Sequence, residues 1–295
     1  MAMNNIPGVG QIKVGHFKEP FSMEELTSDN NIMFIERSLV DSFAPSRNVG
    51  IQLSNTEFNQ RMTWAAGVFL NSDAFGNAVD ADQMNFTARV TGLPWVDADH
   101  PGRYLHLGAA ITHQEFDKAG YRLRARPTMP YPAYADTGVF GLSDSANLYE
   151  IELALNYDRF SLQGEYTLGD YDHKLFGNSN YSGYYVQASV FLTPDTRPYK
   201  AANGTFDKIM PVHPFSLNPD KRGPGAWEVA LRYANDDFSD CPIFGGTMDT
   251  TTIGLNWYLN PAMRIMFNYD MSSIDRQPYY DGNVNTFKTR FQIAF

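Results

Sequence analysis

The chain has 295 residues, 43% hydrophobic and 14% aromatic, with 17 Tyr and 21 Phe, and a formal charge of −10. It has no run of about 18 apolar residues, which excludes helical membrane spans. Its acidic balance, with a pI of about 5.0, argues against a nucleic-acid partner, because phosphate recognition needs basic excess. The single cysteine, Cys241, excludes an internal disulfide framework and reads as an inert loop thiol. The length fits about two soluble domains or one barrel. The mean hydropathy of −0.37 is what alternating strands give, in a membrane barrel or a soluble all-β protein alike.

Residues 1–12 show no basic n-region followed by an apolar h-region, so no signal peptide is read there. For an exported protein, an N-terminally truncated chain is then the expectation. Gly10 to Lys18 reads as a short strand. It leads into a stretch where Pro20 and Ser22 open a helical turn with acids in its first turn. Phe34 to Phe43 reads as a second short helix. Glu19 to Arg47 is therefore a long, partly helical connection between strands, and connections of that length are usually functional or disordered.

From Asn48 the period is two. V-G-I-Q-L and M-T-W-A-A-G-V-F-L come first. Phe86, Ala88 and Val90 then oppose Asn85, Thr87, Arg89 and Thr91. Leu105, Leu107, Ala109 and Ile111 oppose His106 and Thr112. Tyr149, Ile151, Leu153, Leu155 and Tyr157 oppose Glu150, Glu152 and Asn156. Phe160, Leu162, Tyr166 and Leu168 oppose Ser161, Gln163 and Glu165. Tyr184 to Leu192, Trp227 to Tyr233, Ile253 to Trp257 and Met263 to Tyr269 repeat the pattern. The last nine residues, F-K-T-R-F-Q-I-A-F, alternate to the end of the sequence on Phe295. A greasy free edge of that kind invites aggregation in water, and a closed barrel in lipid removes it.

Two regularities point to an outer-membrane barrel rather than a sandwich. Several apolar faces carry Tyr or Trp at their ends, as aromatic girdles do. Connections also alternate in length: Asp158-Arg159 and Asn260-Pro261 are tight, while Asp170 to Gly183, Pro194 to Gly225 and Asn235 to Met248 read as long loops on the opposite rim. The acidic triplets at 80–82 and 97–99 read as solvated loop acids.

Arg122, Arg124 and Arg126 are spaced by two, so an extended segment presents all three on one side. Guanidiniums fixed in a narrow passage attract anions and replace part of their hydration. The same spacing also suits a solvated edge strand with protective charge. Arg89, Arg232, Arg264, Lys288 and Arg290 fall on the polar faces, but so do Glu150, Glu152, Glu165, Glu228 and Asp270. Most of these charges read as partners in ion-pair networks. Lys18 and Arg37 sit at or within the long early connection. No G-x-S-x-G, H-E-x-x-H, P-loop or dinucleotide fingerprint occurs, and the six His share no ligand spacing. No catalytic residue, metal or cofactor is therefore expected.

The chain resembles the phosphate-selective porin O and P family of bacterial outer membranes. The matching stretches are Gly10 to Leu26, F-I-E-R-S (34–38), A-P-S-R-N-V-G (44–50), R-V-T-G-L-P (89–94), F-S-L-Q-G-E-Y (160–166), Gly183 to Thr193, G-A-W-E-V-A-L-R-Y (225–233) and G-L-N-W-Y-L-N-P (254–261). The terminal Phe also matches. The resemblance implies an all-β transmembrane antiparallel barrel of about sixteen strands, of which about thirteen are present, as one domain over 1–295. It implies a homotrimer in outer-membrane lipid that passes small anions such as phosphate. It assigns Glu19 to Arg47 to an inward-folded constriction loop and Arg122, Arg124 and Arg126 to an arginine ladder. Two other readings stay open at this point: an outer-membrane barrel enzyme such as a lipid hydrolase, and a soluble β-sandwich binding module.

Overall fold

A computed structural model describes residues 1–116, 120–128, 134–141, 143–174, 177–218, 220, 222–240 and 244–294, apart from the side chains of 80–82. Cys241, Phe295 and the acids of 80–82 lie outside the described side chains. The strands are β1 (Ala2–Ile6), β2 (Gly10–Lys18), β3 (Arg47–Glu57), β4 (Met62–Ser72), β5 (Val79–Val96), β6 (Arg103–Glu115), β7 (Arg124–Ala125), β8 (Ala135–Asp136) and β9 (Ser143–Tyr157). They continue with β10 (Phe160–His173), β11 (Gly177–Phe191), β12 (Tyr199–Lys200), β13 (Thr205–Phe206), β14 (Ala226–Asp237), β15 (Thr247–Asn260), β16 (Met263–Arg276) and β17 (Tyr280–Ile293). Thirteen of them form one meandering sheet, β1-β2-β3-β4-β5-β6-β9-β10-β11-β14-β15-β16-β17. β7 pairs with β8 and β12 with β13, as two small ribbons inserted in long connections.

Alternation sets which way each strand faces. On β9, Ile151 is 62% and Leu153 37% exposed, whereas Glu150 and Glu152 are 2% and 4% exposed. The same split holds over most of β10, β14 and β16, with the apolar face outward and the polar face inward. The outward face carries stacked rings near the tight turns, Trp227 on Trp257 at 4.9 Å and Trp95 on Tyr157 at 6.3 Å. No helix is long and apolar enough to cross a membrane.

The segment between β2 and β3 lies on the inward face. It hydrogen-bonds to β5 through Thr87, to β10 through Glu165 and to β17 through Arg290. One segment touching strands so far apart in the order requires the sheet to curl around it. Among the described residues, β1 and β17 are its edges.

β1 has no alternating apolar pattern, and its strand character comes from pairing with β2 (Ala2 opposite Lys13, Met3 opposite Ile12). Three expectations are corrected. Asp170 to Gly183 is not a long loop: β10 and β11 stay paired from Asp170–Asn180 to His173–Gly177. Its Asn, Asp, Ser and Gly content reads as a turn, but Tyr171 and Tyr181 pack inward with Tyr121 in one aromatic cluster. Phe34 to Phe43 is not a helix, because bent, irregular backbone at its start bonds to the wall, and only Leu39–Ser42 forms a 3-10 turn. Lastly, the connection from β11 to β14 leaves the sheet on the rim of the tight turns, not on the rim of the long loops.

Candidate functional site

The inward segment starts as its sequence predicts. Ser22 caps α1 (Met23–Leu26) by accepting from the Glu25 amide at 3.1 Å, and Glu24 and Glu25 occupy the first turn. Glu165 on β10 accepts from the Ser22 hydroxyl at 2.6 Å and the Glu24 amide at 2.8 Å. Glu19 accepts from Asn48 and Asn85 on the wall. Burial pushes its carboxyl above the usual range despite those donors. Further along, Asn268 accepts from the Ile35 amide at 2.7 Å and Asn256 donates to the Met33 carbonyl at 2.8 Å. Phe34 lies on Gly254, where an added Cβ would sit 3.0 Å from the Phe34 ring.

Most basic residues singled out in the sequence hold this segment in place. Arg264 donates to the carbonyls of Ile32 at 2.8 Å and Asp29 at 3.0 Å. Arg232 donates to the Glu36 carbonyl at 3.1 Å and lies over the Phe34 ring. Lys18 pairs with Glu25 at 3.1 Å. Arg37 pairs with Glu25 at 3.1 Å, with Asp29, and with Asp41 at 3.6 Å. Burial opposes its charge, but those acids outweigh it and hold the guanidinium above its ordinary pKa. Lys288 pairs with Asp270 at 2.6 Å and Glu36 at 2.8 Å.

Arg89 serves a second inward segment, 192–225, which enters from the opposite rim. It pairs with Glu152 at 2.6 Å and donates to the carbonyls of Asn203 at 3.0 Å and Gly204 at 2.7 Å. His106 bridges Glu152 at 2.9 Å and Tyr199 at 2.6 Å. Arg197, buried and paired with Glu228, anchors the start of this segment. Phe206 at its tip packs in one cluster with Met23 of α1, so the two segments meet inside the sheet. Arg197, Tyr199 and Asn256 were not singled out from the sequence. The first two lie in an aperiodic stretch, and Asn256 carries no charge to draw attention.

The arginine row behaves as its spacing predicts, and its members differ. Leu123 and Ala125 turn into the core, while Arg122, Arg124 and Arg126 share the other side. Arg122 makes a bidentate pair with Asp136 across the small ribbon, at 2.9 and 2.5 Å. Arg124 and Arg126 line a cavity of about 390 Å³ together with Arg37 and Arg290. Arg124 has no hydrogen bond or ion pair among the described residues, and Arg290 donates to the Ile35 carbonyl at 3.1 Å but pairs with no carboxylate. The acids of that cavity all have basic partners, Asp29 and Asp41 sharing Arg37 and Glu36 sharing Lys288 with Asp270, and the four arginines of the lining outnumber its three acids. The cavity thus concentrates positive charge with room for a small anion.

The family model for the phosphate-selective porins O and P matches residues 5–295. The chain belongs to this family. It is a porin of the bacterial outer membrane, and Glu19–Arg47 is the inward-folded loop that the resemblance implied. Porin O of Pseudomonas aeruginosa is 26% identical over an alignment that covers 96% of this chain and 70% of that protein. A Caulobacter vibrioides protein is also 26% identical, over 96% of this porin and 59% of its own length. Among solved structures, the anion-selective porin from Comamonas acidovorans superposes with a TM-score of 0.51. It is 16% identical, with 97% of this chain and 73% of that chain covered, and so shares the fold.

Proposed function

We propose that this porin lets small anions, phosphate among them, diffuse passively past the cavity of Arg124, Arg126, Arg37 and Arg290. The observation that carries this reading is the charge balance of that cavity. Its acids are paired within the inward loop or with Lys288, while Arg124 and Arg290 lack carboxylate partners among the described residues. Unpaired guanidiniums within low-dielectric walls focus a positive potential, and the field there, not the whole-chain charge, acts on a passing ion. Other basic residues of the inward face have a supporting part: Lys18, Arg89, Arg232, Arg264 and Lys288 fix the two inward segments. The acid residues of the wall do not oppose the reading where a base pairs with them, as Arg89 does with Glu152 and Arg197 with Glu228. The assembly that goes with it is a homotrimer in outer-membrane lipid, supported by the family resemblance.

The test is the reversal potential of the refolded channel in a salt gradient. Wild type should prefer anions. Arg124→Ala with Arg290→Ala should shift the reversal potential toward cations, and millimolar phosphate should reduce chloride current in wild type but less in the double variant. A cation-selective wild type, or a reversal potential unmoved by the double substitution, overturns the reading.

A further inference from the structure

We propose that Glu150, Glu152 and Glu165 on the inward wall hold a divalent cation of the hard, oxygen-seeking class, calcium foremost. Each of the three offers a carboxylate oxygen, and these oxygens lie within 4.8 Å of one another. Glu152 on β9 stands directly opposite Glu165 on β10, and Glu150 directly opposite Thr167. Glu150 is 2% exposed and Thr167 0%. Neither carboxylate oxygen of Glu150 has a hydrogen-bond partner among the described residues, and neither does the Thr167 hydroxyl. A buried, ionisable side chain with both oxygens unmatched, beside two more carboxylates, is the second observation that lifts this cluster above a chance grouping of acids.

The neighbouring donors are committed elsewhere. Arg89 gives its N–H groups to Glu152 and to the carbonyls of Asn203 and Gly204. His106 bridges Glu152 and Tyr199. Glu165 accepts from Ser22, the Glu24 amide and Tyr185. Three carboxylates therefore face one guanidinium, and a bound cation would compensate the excess negative charge in this desolvated wall. The donors are all oxygens, which favours calcium and magnesium over transition metals. Three carboxylate oxygens from three residues, with the facing Thr167 hydroxyl beside them, form an irregular set that suits the flexible coordination of calcium better than the strict octahedron of magnesium.

The site rests on wall geometry and stands independently of the anion reading. If both hold, the cation removes the largest block of uncompensated acid from the lumen and leaves the arginines of the cavity unopposed.

The experiment uses the full chain refolded in detergent, stripped with a chelator and titrated with terbium, then with calcium. The Tyr185 hydroxyl lies 2.6 Å from the Glu165 carboxylate and serves as sensitiser. Tyrosine-excited terbium emission should saturate at one site per chain and be displaced by calcium. Glu150→Gln should weaken calcium binding roughly tenfold or more, since affinity follows the number of charged ligands. Asp99→Asn, in an exposed turn, should leave it unchanged. Absence of calcium-displaceable emission in wild type overturns the proposal, the cluster then holding a proton only. So does an affinity that Glu150→Gln leaves unchanged. If Glu150→Gln does not refold, the wild-type titration decides, with Thr167→Val as the second variant, expected to weaken calcium binding.

Discussion

At the scale of single residues, the facing of side chains was readable and their partners were not. A period of two places Arg89, Glu152, Arg232 and Arg264 on the inward face with no further information. Which charge meets which depends on register and curl across long separations: Arg89 and Glu152 are 63 positions apart, and Arg232 and Glu24 are 208 apart. No local pattern encodes that. The pairing has a cost when broken. Arg89→Ala leaves Glu152 buried without its guanidinium and should destabilise the folded porin by about 3–5 kcal/mol, read from denaturant unfolding in lipid vesicles. The outward face makes a separate claim. Leu153→Arg puts a charge into hydrocarbon and should cost roughly 2–4 kcal/mol by the same measurement if the residue lies near mid-depth. A cost near zero would show that Leu153 does not meet lipid.

At the scale of elements, the porin is organised by two inward segments. The first was legible because Ser22, Glu24 and Glu25 form a recognisable helix start and because its length is unusual between strands. Its second half was misread. The apolar residues of 34–43 suggest a helix, but Asn256, Asn268, Arg232 and Arg264 offer the backbone better partners on the wall than a helix would within itself. The second segment reads only as a loop in the sequence, since nothing in its composition says that it turns inward. Deleting Ser28 to Glu36 should raise single-channel conductance, because the removed stretch fills space between Arg264 and the cavity of Arg124. Unchanged conductance would count against this role. Arg264→Ala should act in the same direction but more weakly, by freeing the carbonyls of Ile32 and Asp29.

At the scale of the whole molecule, net charge is a poor guide to what passes. The formal charge of −10 includes exposed turn acids such as Asp73 and Asp99, whose field is screened within about 8 Å at physiological ionic strength. Replacing both with Asn should leave the reversal potential near its wild-type value. Raising salt toward 1 M shortens screening to about 3 Å and should erode anion preference, because the cavity's own guanidiniums are then masked. Selectivity that survives 1 M salt unchanged would point to close-contact recognition of the anion rather than to its field.

The early inward segment is gripped by strands that come late in the chain. Arg232, Arg264, Lys288 and Arg290 bind residues 29–36, more than 190 positions upstream. During synthesis that segment emerges long before its holders exist, so it must be kept unaggregated while the remaining strands are made. Chaperone dependence in transit is the expected consequence of that order. A nonsense mutation that removes only β16 and β17 would not merely leave a gap in the wall. It would also remove Arg264, Lys288 and Arg290, and with them most of the hold on the inward segment.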